Sequence, residues 1–157
     1  MADSSAIQYG LSDFFRMVQS EVHKLTAPLS SEQIWTRPYP YGNSVGNLIL
    51  HVTGNLSYYI GSEIAATGYV RQRPLEFTDT GKPKDELLRN FDQTIAMVLA
   101  TIASQSDADW SAPYTAIAES DAKTRFNAFL RCAAHAYHHI GQIIYLQREL
   151  LGTASSR

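Results

Sequence analysis

The sequence predicts an all-α fold, namely a four-helix bundle with long connections between helices 1 and 2, 2 and 3, and 3 and 4. Four stretches of roughly 20–28 residues carry apolar side chains at helical spacing, as the helices of such bundles do. No alternation of apolar and polar residues is long enough to indicate a strand, and there is no internal repeat or low-complexity tract. Because domains most often contain roughly 100–150 residues, we expect residues 1–157 to form a single domain.

The first predicted helix covers residues 7–25. Its apolar side chains fall within one stripe, which is typical of a surface helix with one buried face: Ile7, Leu11, Phe14, Phe15, Val18, Val22 and Leu25. His23 lies on the opposite side, so we expect it to be exposed and uninvolved in any site. In the following connection, residues 30–44, Pro38 and Pro40 disfavour helix before each of them, so we expect a loop or a short helical turn.

The second predicted helix runs from residue 44 to residue 67, with Asn43 or Ser44 as its N-cap. One stripe of this helix is apolar: Val45, Ile49, Val52, Leu56 and Ile60. Another stripe is more polar: Asn47, His51, Asn55, Tyr58 and Ser62. A polar stripe on a long apolar helix indicates either a site that faces a cavity or an ordinary solvated face, and the periodicity does not decide between them.

The second half of the chain contains the other two predicted helices. Gly68 is typical of a helix stop, and residues 68–84 have the polar, Pro- and Gly-containing composition of a loop. The third helix has a single apolar stripe: Leu87, Leu88, Phe91, Ile95, Val98, Leu99 and Ile102. After a further long connection, residues 104–124, the fourth helix is predicted over residues 122–150 and ends near Gly152.

Composition and charge exclude several functional classes. The chain is 45% hydrophobic and 18% charged, as globular proteins are. Its formal net charge of −2 offers no basic field for nucleic acid and no polybasic patch for a membrane. The longest nearly uncharged apolar run, residues 95–103, is far shorter than a spanning helix. The N-terminus lacks a signal-peptide pattern, and the single cysteine, Cys132, excludes an internal disulfide framework. We therefore expect a cytoplasmic protein that binds neither nucleic acid nor membrane.

Three of the five histidines lie in the segment CAAHAYHHIGQ, residues 132–142. His135 and His139 are four residues apart, which places both rings on one helix face with Cβ atoms about 5–6 Å apart. Small and apolar residues share this face, so both rings point into the bundle, whereas His138 lies on a flank. For an isolated pair at this spacing, hydrogen bonding to a carbonyl or hydroxyl is the commoner explanation, because buried imidazoles need partners.

The position of His51 favours a metal site over hydrogen bonding alone. His51 lies in the polar stripe of the second helix, and bundles build metal sites from inward side chains of facing helices. Together with His135 and His139 it would form a three-nitrogen site with an open position for water or substrate, as in catalytic sites. Neutral imidazole suits Zn, Ni, Cu or Fe. Cys132 lies one turn before His135 and is a weaker candidate ligand, since a lone buried cysteine usually packs as a small hydrophobe.

Two segments, NSVGNLILHVTGN (43–55) and AAHAYHHIGQI (133–143), resemble the DinB/YfiT-like family of bacterial four-helix-bundle metal-binding proteins. In that family, helix two carries a histidine a couple of turns after a Ser-Ile/Val-Gly-like start. The last helix carries His-x3-His followed by an x-Gly-Gln segment. The resemblance implies that His51, His135 and His139 bind a divalent metal, with Zn and Ni the usual candidates, and it leaves His138 outside the triad.

The resemblance does not imply one reaction. Members similar to this sequence include thiol S-transferases that use low-molecular-weight bacterial thiols, and a mycothiol-dependent isomerase. We expect a metal-dependent transferase or hydrolase with a small-molecule substrate, in which a metal-bound water or thiol is the reacting group and a low-molecular-weight thiol is a candidate cofactor. The alternatives are a non-catalytic metal-binding or stress-related interaction bundle, and a structural protein whose histidines only form hydrogen bonds.

Further residues are candidates for supporting roles. Asn47, Asn55, Tyr58 and Gln142 lie in helical register with the ligands and would either orient them or be polar residues at a bundle end. Aromatic residues in the connections either line a pocket mouth or pack the loops: Trp35, Tyr39, Tyr41, Trp110 and Tyr114. The fourth helix also carries apolar residues away from the histidine face: Phe126, Ala133, Tyr137, Ile140 and Ile144. They predict a homodimer, or else a contact with another helix of the same bundle.

Overall fold

The computed structural model describes residues 4–116 and 122–154, and within these ranges the chain forms helices and no strand. The predicted all-α fold is confirmed. Four long helices form the bundle: α1 (Ser4–Thr26), α3 (Val45–Leu56), α5 (Lys84–Ala103) and α7 (Arg125–Ala154). Each connection contains one short helix: α2 (Ser31–Trp35), α4 (Arg73–Thr78) and α6 (Asp107–Ser111). Among the described helices, none combines the length and the hydropathy needed to cross a bilayer.

The second long helix begins as predicted and ends earlier. Ser44 is its N-cap, and the Ser44 hydroxyl accepts the backbone N–H of Asn47 at 3.1 Å. Helix α3 continues past Leu56 as a π-helical turn over Ser57–Ser62 and does not reach residue 67. Ala66 and Gly68 then adopt left-handed backbone conformations, with φ of 52° and 73°. Left-handed residues cannot continue a right-handed helix, so the chain leaves the bundle axis here.

The connections contain more helix than their composition predicts. The segment 68–84 was expected to be a loop, but it contains α4, whose first turn includes Pro74. Proline is well tolerated there because its missing N–H would have no partner inside the helix. Helix α6 begins at a cap in which the Ser106 hydroxyl accepts the N–H of Asp109 at 3.3 Å. Residues 117–121 of the predicted connection 104–124 lie outside the described residues.

The core runs along the bundle and takes side chains from every long helix. Phe15, Ile49, Phe91 and Phe129 come from α1, α3, α5 and α7 respectively, and each is at most 1% exposed. Burying one such side chain stabilises the fold by about 1.5–3 kcal/mol. Helices α1 and α3 each pack against both α5 and α7, and α4 packs on α3. This arrangement makes the second and fourth long helices direct neighbours.

His23 has a partner that the helical wheel did not predict. Its Nε2 lies 2.8 Å from Oδ1 of Asp92 on α5, and the His23 side chain is 44% exposed. The amide of Gln19 donates to the same carboxylate oxygen at 2.7 Å. His23 is exposed as expected, and its contact joins α1 to α5 at the surface. It takes no part in the cluster formed by the other histidines.

Candidate metal centre

Three histidines from two helices meet at one point inside the bundle. Nε2 of His51 on α3 lies 3.1 Å from Nε2 of His135 on α7, and Nε2 of His139 lies 3.1 Å from the same atom. One nitrogen from each ring lies within 4.8 Å of the others. The planes of the three rings are nearly perpendicular to one another, at 74°, 89° and 88°. Three ring nitrogens are thus directed at one small volume, and this cluster could hold a metal ion.

Helix register and packing explain the convergence. His135 and His139 are one turn apart on α7, so their rings leave the same face of the helix. Helix α3 packs against this face and brings His51 opposite the pair. His51 and His139 are 7% and 9% exposed, and His135 is partly buried. The hydrophobic packing of two long helices therefore sets the spacing of the three rings.

Hydrogen bonds at the far nitrogens determine the protonation pattern of two of the rings. Nδ1 of His51 lies 2.8 Å from Oε2 of Glu76, and Nδ1 of His139 lies 2.6 Å from Oε1 of Gln142. Because a carboxylate and an amide oxygen can only accept, each Nδ1 donates. In a neutral imidazole the other nitrogen, Nε2, then carries a lone pair. Two lone pairs are thus directed at Nε2 of His135.

The third ring shows that this arrangement suits a cation. Nε2 of His135 can carry one proton, so it can donate to His51 or to His139 but not to both. The remaining contact, also 3.1 Å, would then have no hydrogen bond, and an unprotonated Nε2 would bring lone pairs together at both contacts. Nδ1 of His135 is buried without a hydrogen-bond partner among the described residues. A divalent ion that accepts all three Nε2 lone pairs removes this conflict, and a set of neutral imidazoles suits Zn, Ni, Cu or Fe.

Burial keeps His135 and His139 neutral. Burial lowers the pKa of His135 to about 3, and the charges that His139, His51, Arg71 and His138 can carry act in the same direction. Burial also lowers the pKa of His139. Neutral imidazole is the form that binds a metal, so at neutral pH these two rings need lose no proton to act as ligands.

Glu76 on α4 is a residue of the site that the sequence pattern did not reveal. Its side chain is 6% exposed, and besides accepting from His51 it pairs with Arg71 through two contacts, Nε to Oε1 at 2.7 Å and Nη2 to Oε2 at 2.9 Å. Burial raises the pKa of Glu76, but the hydrogen bonds from His51 and Arg71 and the charge of Arg71 outweigh it and lower the pKa. One signal was available, because Pro74 indicates the first turn of a helix that would carry Glu76.

Of the four polar residues in register with the three histidines, Gln142 contacts a histidine ring in the described part of the chain. Asn47 supports the site through α4, since its amide donates to the carbonyls of Glu76 and Asp79 at 3.1 and 2.9 Å. Oδ1 of Asn55 is buried without a partner among the described residues. Tyr58 packs edge-on against its neighbour Tyr59, and the nearby charge of Glu63 raises the pKa of Tyr58.

Cys132 and His138 stand beside the cluster. Cys132 is 2% exposed, and burial raises the pKa of its thiol to about 12, so the thiol is protonated at neutral pH. Only the thiolate is a good metal ligand. His138 is exposed, and its ring centroid lies 5.2 Å from that of His139. Neither residue belongs to the group of converging ligand atoms in the described structure.

Some aromatic residues of the connections line a pocket, and others pack the connections against the bundle. Tyr39 and Tyr41 stack with centroids 5.7 Å apart and line a pocket of about 310 Å³ that also reaches Gln142. Trp110 and Tyr114 are 3% and 7% exposed and pack against the bundle. Trp35 covers Gly46 on α3 and donates to the carbonyl of Lys82. Trp110 and Tyr114 are thus packing residues, whereas Trp35 packs on α3 and also lines a separate pocket.

Comparisons with known proteins agree with the fold and the family resemblance. A family model described as the DinB superfamily matches residues 15–143. Among solved structures, the chain is similar to a conserved protein of Enterococcus faecalis, with a TM-score of 0.75, 17% sequence identity and coverage of 97% of this chain and 99% of that chain. At this identity the likeness concerns the fold alone. None of the curated proteins matches the chain.

Proposed function

Because the chain belongs to the DinB superfamily and brings three histidines to one point, we propose that it is a divalent-metal-dependent enzyme whose ligands are His51, His135 and His139. The observation that carries the proposal is the convergence of the three Nε2 atoms, two of which present lone pairs because Glu76 and Gln142 accept from the opposite nitrogens. Zn or Ni is the metal we expect at this site.

The residues of the chain suggest how such a site would work. A divalent cation held by three imidazoles acts as a Lewis acid and lowers the pKa of a water or thiol. His51 and His139 would direct their Nε2 atoms at the ion, because their Nδ1 atoms are hydrogen-bonded to Glu76 and Gln142. The burial of His51 and Glu76 keeps bulk water away, which strengthens electrostatic interactions within the site.

The reaction class we propose is group transfer or hydrolysis on a small molecule, with a low-molecular-weight thiol as a candidate cofactor. Support comes from the family resemblance and from the pocket lined by Tyr39 and Tyr41. Its volume of about 310 Å³ lies at the lower end of the range for small-molecule sites. It reaches Gln142, whose Oε1 accepts from Nδ1 of His139, so the side chain of Gln142 connects an occupant of this pocket to the three-histidine cluster.

Elemental analysis of the purified protein tests the metal site. After reloading with Zn or Ni, we expect about one ion per chain, as one three-ligand site requires. His51→Ala, His135→Ala and His139→Ala should each lose the ion, because two imidazoles hold a divalent ion much more weakly than three. His138→Ala is the matched control, since its ring lies beside His139 but outside the cluster, and it should keep the ion. A reloaded wild-type protein with no bound metal would refute the site.

A thiol-transfer and hydrolysis screen on the reloaded protein tests the enzymatic part. We expect activity that depends on Zn or Ni and that disappears in His51→Ala while persisting in His138→Ala. Activity unchanged by removal of the triad would refute the proposed mechanism, because the cation would then have no role in the reaction.

A second candidate is a metal-binding bundle without turnover, and the burial of the cluster favours it. His51 and His139 are at most 9% exposed, so an ion bound there would be largely enclosed, as structural sites are. This alternative predicts stoichiometric metal and increased thermal stability on loading, with no activity for any thiol or ester substrate in the screen.

A further inference from the structure

Helix α4 places a buried carboxylate behind one of the three histidines. Both oxygens of Glu76 are used: Oε2 accepts from Nδ1 of His51 at 2.8 Å, and Arg71 contacts both Oε1 and Oε2. Arg71 is itself largely buried, with 11% of its side chain exposed. A carboxylate held in this way by a guanidinium has little freedom to rotate. It therefore presents a fixed acceptor to the ring of His51.

Three positions of α3 accommodate Glu76. Asn47, His51 and Gly54 are spaced four and three residues apart, so they lie on one stripe of the helix. Asn47 binds the carbonyl of Glu76, His51 binds its carboxylate, and a Cβ added at Gly54 would collide with Oε1 of Glu76. One face of α3 thus contacts both the backbone carbonyl and the carboxylate of Glu76.

The other two histidines lack such support. His139 is held by a neutral amide, Gln142, which lies on the same helix three residues later. Nδ1 of His135 has no partner among the described residues. Among the three rings, His51 is the one whose outer nitrogen, Nδ1, contacts a carboxylate from a separate element. A hydrogen bond to a carboxylate fixes the tautomer of a ligand histidine and makes it a stronger donor to a metal.

We propose that Glu76, held by Arg71, is a positioning residue that keeps His51 in the Nδ1–H form, with its Nε2 lone pair directed at His135 and His139. Its effect on metal binding rests on the proposed function, whereas its effect on the tautomer does not. Helix α4 then belongs to the metal centre even though no side chain of α4 is a ligand.

Nitrogen-15 NMR of the histidine rings in the metal-free protein tests the tautomer directly. In the wild type we expect His51 to be protonated at Nδ1. The double variant R71M/E76L removes the acceptor together with its counter-ion, so that no buried charge is left unpaired. In that variant His51 should shift to the Nε2–H form, which can donate to Nε2 of His135. A wild-type His51 protonated at Nε2, or an unchanged tautomer in the double variant, would overturn the proposal.

Zinc affinity, measured by competition with a chromophoric chelator, tests the consequence for the ligand. We expect R71M/E76L to bind zinc about 10–100-fold more weakly than the wild type. E76Q keeps one carbonyl acceptor without the charge, so it should lose less affinity than the double variant. D109N removes the charge from the Asp109–Arg125 contact, an acid–guanidinium pair between α6 and the first residue of α7, and should bind zinc as the wild type does.

The outcomes separate the two proposals. If R71M/E76L is folded by circular dichroism and binds zinc as tightly as the wild type, Glu76 is not a positioning residue. If the double variant does not fold, E76Q decides through its zinc affinity, which must be lower than that of the wild type. If the wild type itself binds no zinc, the proposed function fails, while the tautomer of His51 in the metal-free protein still decides the role of Glu76.

Discussion

His135 and His139 give the metal-free protein a predictable dependence on pH. Burial lowers the pKa of His135 to about 3 and also lowers that of His139. The ordinary pKa of histidine is about 6.5. Between these values the unfolded chain binds more protons than the folded chain, so stability falls as the pH falls from about 6.5 towards 3. Urea unfolding of chelator-treated protein across this range measures the effect.

The variant His135→Asn isolates the contribution of one ring to this pH dependence. Asparagine does not titrate, so the fall in unfolding free energy between neutral and acidic pH should be shallower in the variant than in the wild type. Parallel pH curves for the two proteins would mean that His135 titrates normally in the folded state.

Gly54 is predicted to tolerate no side chain while Glu76 is in place. A Cβ at this position would collide with Oε1 of Glu76, an atom that cannot move without breaking its contact with Arg71. We expect Gly54→Ala to lower the unfolding free energy by about 1–3 kcal/mol, the usual cost of overpacking. Urea denaturation followed by circular dichroism measures this change.

A double-mutant cycle shows whether Glu76 is the cause. In an E76A background the colliding atoms are gone, so adding Gly54→Ala should cost clearly less than it does in the wild type. If Gly54→Ala lowers the unfolding free energy equally in both backgrounds, contacts of α3 other than Glu76 are responsible, and the predicted collision is contradicted.

At the scale of elements, the start of α3 is a separate determinant of stability. The Ser44 hydroxyl accepts the N–H of Asn47 and donates to Oδ1 of the same residue at 2.8 Å, and Ser44 is fully buried. Ser44→Ala should lower the unfolding free energy by about 1 kcal/mol or more, because it removes an N-cap and leaves buried groups unpaired. The urea midpoint of the variant tests this.

Ser30→Ala is the matched control, because Ser30 caps the short helix α2 through hydrogen bonds that are exposed. Water can replace those bonds, so the cost there should be smaller. A Ser30 variant as destabilised as the Ser44 variant would show that burial of the cap makes no difference.

Elements differ in how far the sequence predicts them, and length is the physical reason. The long helices contain several turns, so the apolar period is visible, and the capping residue Ser44 is recognisable by type. Helix α4 contains six residues, too few to show a helical period, so the composition of this segment predicts a loop. Gln142 was foreseen because it follows His139 by less than one turn. Glu76 was not, since it meets His51 across 25 residues of chain and through a connection with no regular pattern.

At the scale of the whole molecule, packing divides the surplus apolar residues of the fourth helix into two groups. Ala133 and Ile140 are 4% and 3% exposed and lie within the bundle, as one of the two interpretations held. Tyr137, in contrast, is 53% exposed. The sequence pattern could not separate the groups, because a bundle helix contacts two neighbours and its apolar stripe is correspondingly wide.

The exposed apolar residues of α7 predict a homodimer. Tyr137 and the half-exposed Leu130 line a groove of about 580 Å³ between α1 and α7, whose walls carry no charged side chain. Contiguous apolar surface of this kind is typical of a protein–protein contact. We expect light scattering at micromolar concentration to give twice the chain mass of 17.5 kDa, with the grooves of two copies facing each other.

Substitutions inside and outside the groove distinguish this specific contact from nonspecific association. Leu130→Glu and Tyr137→Glu place a charge in the groove, which would have to be desolvated in the dimer, so both variants should be monomeric. Tyr41→Glu is the control, because Tyr41 is 77% exposed but lies outside the groove, and it should remain dimeric. A monomeric wild type would contradict the dimer, and a dimer that survives both groove substitutions would place the interface on another face of the bundle.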